Sequence, residues 1–156
     1  MSPSGIYANT VFSPSASILT DVYGLWNLTI DSVKDVDGIQ HFVILQRVPA
    51  AMQGNSLGIS ASDGPLVLCL LAITWNRPGD DEFINNVAKT LLTDIERTTK
   101  AGGLFNRWKY LNYAANFQDP IISYGEASKA NLQDVSKRYD PTRLFQTGVP
   151  GGFKLF

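Results

Sequence analysis

The chain has 156 residues, 44% of them hydrophobic and 17% charged, and a net charge of −1, enough for one domain with a core and too short for two full-sized ones. The near-zero charge, with no block of like charges, excludes a phosphate-backbone partner such as nucleic acid. No membrane span is expected either, because the longest apolar run, 66–75, is about half the required length, and Met1-Ser2-Pro3-Ser4-Gly5 has neither the basic nor the apolar region of a signal peptide, which leaves a soluble chain.

Ser13-Pro14 reads as a helix start, a serine N-cap with proline at the first helical position. Ile18, Leu19, Val22, Leu25, Trp26 and Val33 follow at helical spacing, predicting an amphipathic helix over 14–34 that Gly38 breaks. Residues 40–48 read as a strand that Pro49 ends, and the Gly-, Ser- and Asn-rich stretch 50–64 as an exposed loop. Asp63-Gly64-Pro65 turns into a second strand over 66–75, apolar at nearly every position, so both of its faces should be covered. A second helix begins at Asp80 or Asp81, where acidic residues complement the helix dipole. Its expected buried stripe is Phe83, Ile84, Val87, Ala88, Leu91, Leu92 and Ile95, and Gly102-Gly103 stops it. Residues 105–113 read as irregular or short strand, 114–123 as a loop, and 126–139 as a third helix with Leu132 and Val135 inward, ended by Asp140-Pro141. The Gly- and Pro-rich tail after Phe145 must gain its order by docking. The order implies an α+β fold, a small antiparallel sheet with helices packed on one face. Two strands make a thin sheet, marginal alone, so the unit wants neighbours.

The chain carries no G-x-G-x-x-G or Walker A motif and no Cys/His cluster at metal spacing, so no metal site is expected. The only histidine, His41, sits in a strand as a half-exposed structural residue, and the only cysteine, Cys69, sits in an apolar run as an inert buried thiol. The chemistry-bearing stretch is Lys109, Tyr110, Asn112 and Tyr113. A cation beside a tyrosine favours its phenolate, and an asparagine offers both a donor and an acceptor to a ligand edge. Aromatic packing at a domain junction accounts for Trp108, Tyr110 and Tyr113 equally well.

In order along the chain stand Tyr110-Leu111-Asn112-Tyr113, Gln118-Asp119-Pro120, Ser123-Tyr124-Gly125, Tyr139-Asp140-Pro141, Phe145-Gln146 and Pro150-Gly151-Gly152-Phe153. This series resembles the C-terminal segment of the berberine-bridge-enzyme-like FAD-linked oxidoreductases, the fungal ones particularly. Ser13-Pro14-Ser15, Leu45-Gln46 and Asp63-Gly64-Pro65-Leu66-Val67 extend the likeness over essentially the whole chain. The resemblance implies that 1–109 corresponds to the later part of a substrate domain and 110–156 to the C-terminal segment that returns to the flavin. By the same resemblance Asn112 and Tyr113 contact FAD, Tyr110 is the catalytic candidate facing substrate or flavin, and Lys109 tunes the cofactor electrostatically. The implied reaction is hydride transfer from a small organic or secondary-metabolite substrate to the flavin, which oxygen reoxidises. Ala115 stands where many plant members carry Asp, a departure that resembles the fungal subgroup and leaves no role for that carboxylate.

The family's N-terminal FAD-binding region, with its glycine-rich loop and covalently attached histidine, has no counterpart among these residues. His41 and Cys69 lie in apolar strands and do not match the attachment residues. The FAD-binding domain is therefore expected to be absent and stand-alone catalysis is not expected. The alternative is a truncated non-catalytic remnant or a docking module that pairs with a separate FAD-binding chain. The expected partners are a small-molecule substrate and that separate chain.

Overall fold

A computed structural model describes residues 3–49 and 55–156. Four strands, β1 (Ser4–Phe12), β2 (Gln40–Val48), β3 (Leu66–Trp75) and β4 (Phe105–Asn106), form one antiparallel sheet in the order β2-β3-β1-β4. The helices are α1 (Ala16–Val33), α2 (Asp81–Ala101), the short α3 (Pro120–Ser123) and α4 (Glu126–Tyr139). The α+β reading and the bounds of β2, β3 and α4 match what periodicity predicts. The sheet is nevertheless twice as wide in strands as expected, and the addition, β1, lies at its centre. Ser4-Gly5-Ile6-Tyr7-Ala8-Asn9-Thr10-Val11-Phe12 carries Gly, Ala and Asn, which are weak strand formers. It is held by a nine-residue ladder to β3 instead.

Register fixes what each face carries. Ladder partners share a face, so Ile6, Ala8, Thr10 and Phe12 of β1 align with Ile73, Leu71, Cys69 and Val67 of β3, and these with His41, Val43, Leu45 and Arg47 of β2. On this face lie α1 and α2, which bring Ile18, Val22, Leu91, Leu92 and Ile95 onto Ala8, Phe12, Cys69 and Leu71. The opposite face carries Tyr7, Asn9 and Val11, then Leu66, Leu68, Leu70 and Ala72, then Phe42, Ile44, Gln46 and Val48. Val11, Leu66 and Leu68 are covered there by Ile59, Trp108, Ile121, Tyr124 and the half-buried Leu132, Phe153 and Leu155. β3 is thus apolar on both sides because both sides are packed.

Several local expectations shift. The N-cap of α1 is Ser15, whose Oγ accepts from Ile18 N at 3.2 Å. Ser13 instead donates its N–H to Leu104 O at 2.8 Å, which keeps it in the extended approach to β4. Phe83 is exposed and Val87 only partly buried, so the buried stripe of α2 is narrower than predicted. Val135 is exposed and α4 has no fully buried residue. The stretch 114–123 is not all loop: Asp119 Oδ1 accepts from Ile122 N at 2.9 Å and Pro120 opens α3. Residues 50–54 of the expected loop lie outside the described residues. From Asn55 onward the segment folds inward, burying Ile59. Gly58 sits there at φ 72°, and a Cβ on it would fall onto the Tyr124 carbonyl, so only glycine permits this approach. Among the described residues no helix is long and apolar enough to cross a membrane.

Candidate functional site

The Tyr110 segment is held against β1 by side-chain amides. β4 pairs with β1 only at Val11 and Phe12. One rung further, the fully buried Asn9 takes over. Its Oδ1 accepts from Tyr110 N at 2.9 Å and its Nδ2 donates to Tyr110 O at 3.0 Å. Gln118 serves the backbone of Asn9 in the same way: Oε1 accepts from Asn9 N at 3.0 Å and from Ala115 N at 3.1 Å, while Nε2 donates to Asn9 O at 2.7 Å. Two amide side chains therefore replace a strand. Leaving any of these buried groups unpaired would cost about 1–3 kcal/mol, which fixes the segment closely.

Neighbouring residues on the segment go to opposite sides. The side chain of Lys109 runs to the helical face, where Nζ meets Glu96 Oε1 at 2.6 Å and Thr10 Oγ1 at 3.4 Å. Its backbone N donates to Ser123 Oγ at 3.0 Å. Burial pulls the pKa of Lys109 down, against the opposing pull of Glu96. The desolvation of such a pair offsets much of its attraction, so its main effect is to set register. The ammonium that the sequence places beside Tyr110 is thus turned away from the tyrosines and spent on Glu96.

Tyr110 and Tyr113 meet edge to face, 5.1 Å between ring centroids, with Trp108 at 5.9 Å from Tyr110 and Tyr7 at 5.9 Å from Tyr113. Asn112 Nδ2 donates to the Tyr110 hydroxyl oxygen at 2.9 Å, which orients that oxygen and leaves its own proton to give. Tyr110 and Tyr113 line a largely apolar cavity of about 540 Å³ with Val48, Leu57, Leu68 and Trp108. Asn112 lines a more polar cavity of about 470 Å³ with Tyr7, Asn85 and Asn116. Three of the four predicted residues, Tyr110, Asn112 and Tyr113, therefore come together, and Lys109 does not join them.

Beside this cluster the sheet face is uncovered. Tyr7 and Phe42 are 53% and 52% exposed and flank the small Ala72 on one rung, with Ile44 on the next. Sequence reasoning missed Tyr7 and Asn9 because it missed their strand. The period-2 alternation of Ile6, Ala8, Thr10 and Phe12 was the available signal. His41 and Cys69 lie in the strand settings expected of them. Both ring nitrogens of His41 are buried with no hydrogen-bond partner among the described residues, and burial holds the imidazole below its usual pKa. Cys69 is fully buried, its thiol pushed up to about 12. Among the described residues no group of three or more His, Cys, Asp or Glu could hold a metal.

Comparison with known proteins gives partial matches. The chain is 33% identical over 156 residues to Oligopeptidase PhomG′ of Diaporthe leptostromiformis, covering 96% of this chain and 13% of that protein. It is 38% identical over 111 residues to FAD-dependent monooxygenase tpcD of Cochliobolus heterostrophus (71% and 21%). It is 31% identical over 160 residues to FAD-dependent monooxygenase drtC of Aspergillus calidoustus (96% and 30%). The chain spans less than a third of the length of each of these three relatives. It is similar, then, to part of fungal FAD-dependent monooxygenases. No family model matches the chain. No solved structure matches it.

Proposed function

We propose that this chain forms the substrate-side wall of a berberine-bridge-like FAD-linked oxidoreductase acting on a small organic, secondary-metabolite substrate, with the pyrophosphate of FAD held by polypeptide outside these residues. The observation that carries the reading is the junction of the Tyr110–Asn112–Tyr113 cluster with the uncovered face of Tyr7, Phe42, Ile44 and Ala72. The residues fit the ring end of a flavin. A small residue between two exposed aromatics lets a planar ring approach the sheet, and Asn112, Asn116 and Asn85 line the neighbouring cavity with donors and acceptors for a ring edge. When bound, FAD would accept a hydride from the substrate and pass electrons on to oxygen. The protein's part is positional. Asn9 and Gln118 hold the segment, Asn112 orients the Tyr110 hydroxyl so that it can hydrogen-bond a substrate oxygen, and Val48, Leu57, Leu68 and Trp108 supply an apolar pocket that excludes water.

A second reading, a non-catalytic docking module that pairs with a separate FAD-binding chain, is favoured by the exposed Tyr139, Leu144, Phe145 and Val149 around α4. The oligopeptidase name gains no support from these residues, since both ring nitrogens of the only histidine are buried with no hydrogen-bond partner among the described residues and so activate no nucleophile there. Titrating riboflavin, which has the ring but no pyrophosphate, with the chain tests the flavin reading. The expected result is quenched flavin fluorescence, weakened by Tyr113→Ala and by Asn112→Ala. No quenching, or quenching unchanged in the double variant, would sink it. FAD retained by the chain through desalting would show that pyrophosphate binding does not need residues outside it.

A further inference from the structure

The two edges of the sheet are finished differently. The outer edge of β1 is closed near its end by β4 and then by the Gln118 amide on Asn9. The outer edge of β2 carries nothing of the kind: all nine residues pair with β3 on one side, and no hydrogen bond of the described residues satisfies the outward backbone groups on the other. A long edge strand is normally protected by proline, lysine, a bulge or a covering segment. Gln40–Val48 has neither proline nor lysine, its register to β3 runs unbroken, and Arg47 is its only permanently charged residue. The exposed Phe42, Ile44 and Leu45 lie in its middle, on both faces.

We propose that β2 is the interface between two copies of this chain, paired antiparallel about a two-fold axis at Ile44. The strand is self-complementary in that register. Ile44 faces Ile44 of the copy, Val43 faces Leu45, Phe42 faces Gln46, and Gln40 faces Val48, so the apolar middle meets itself and the polar ends meet neutral partners. His41 faces Arg47. Among the described residues the imidazole has no hydrogen-bond partner and the guanidinium has no acidic partner, so neither meets a like charge while His41 is neutral. Centring on the strand midpoint uses all nine residues. It joins two four-stranded sheets into one of eight, with both helical layers on one face and both aromatic faces on the other. The dimer leaves the Tyr110 cluster open and does not depend on the flavin reading.

Sedimentation equilibrium at tens of micromolar protein should give twice the 17.1 kDa monomer mass. Cross-linking reads the register. Directly opposed residues of an antiparallel pair have Cβ atoms about 5 Å apart, so Ile44→Cys should form a disulfide dimer under mild oxidation. Phe42→Cys, four positions from its own copy, should not. The buried Cys69 gives no background. Ile44→Lys sets two ammonium groups on the axis at a surface position and should return the chain to monomer with its circular dichroism unchanged. A monomeric wild type, a dimer that Ile44→Lys leaves intact, or cross-linking at Phe42→Cys as fast as at Ile44→Cys would each overturn the proposal.

Discussion

The two faces of the sheet are built by different means. The helical face is closed by apolar packing: Ala8, Phe12, Cys69 and Leu71 lie under Ile18, Val22, Leu91 and Ile95, all buried. The opposite face is organised by directional bonds, the amides of Asn9 and Gln118, around aromatics that remain half open. Apolar burial is non-directional and tolerates repacking, whereas hydrogen bonds set position closely and contribute little net stability. The difference places the largest apolar cluster on one face, and a smaller one beside the candidate chemistry on the other.

The division is broken most directly at Phe12, fully buried on the helical face. Phe12→Ala is expected to cost about 3–5 kcal/mol in urea unfolding, with all structure lost in one transition. Asn9→Leu is expected to cost less, about 2–4 kcal/mol, by leaving both backbone groups of Tyr110 without their partner. Its signature is local: hydrogen exchange should quicken over 108–113 while α1 and α2 stay protected. Equal quickening in the helices would mean that the two faces are not separable. Ser15→Ala removes the N-cap of α1 and should cost about 1 kcal/mol, with no change in the exchange of 108–113.

The smallest effect is one of pH. Burial holds His41 below its ordinary pKa of 6.5. As pH falls through 6.5 the unfolded chain takes up a proton that the folded chain resists, so stability declines. Because His41 is the only histidine, urea midpoints for His41→Phe should lose most of their slope between about pH 7.5 and about pH 5.5. An unchanged slope would place the titration elsewhere.

Much of the helical face was legible in the sequence, because α1, α2, β2 and β3 carry strong periodic or continuous apolar patterns. β1 was not. Its Asn9 and Thr10 look polar along the chain, yet both are fully buried, one bonded to the Tyr110 backbone and the other reaching Glu96. Tyr110, Asn112 and Tyr113 were legible as a segment through their spacing, whereas the departure of Lys109 was not. An extended backbone sends adjacent side chains to opposite sides, and which side holds a carboxylate depends on Glu96, thirteen residues away on α2.

By itself the sequence determined the α+β class, the long helices, two of the four strands and the residue types gathered in the Tyr110 segment. These follow from local propensity and from periodicities that are properties of neighbouring residues. Only the tertiary structure decided that a weak strand former lies at the centre of the sheet, that Asn9 and Gln118 set the tyrosines, and that one face and one edge remain open. Each of these rests on contacts between residues far apart in the chain, whose free energy overrides local preference.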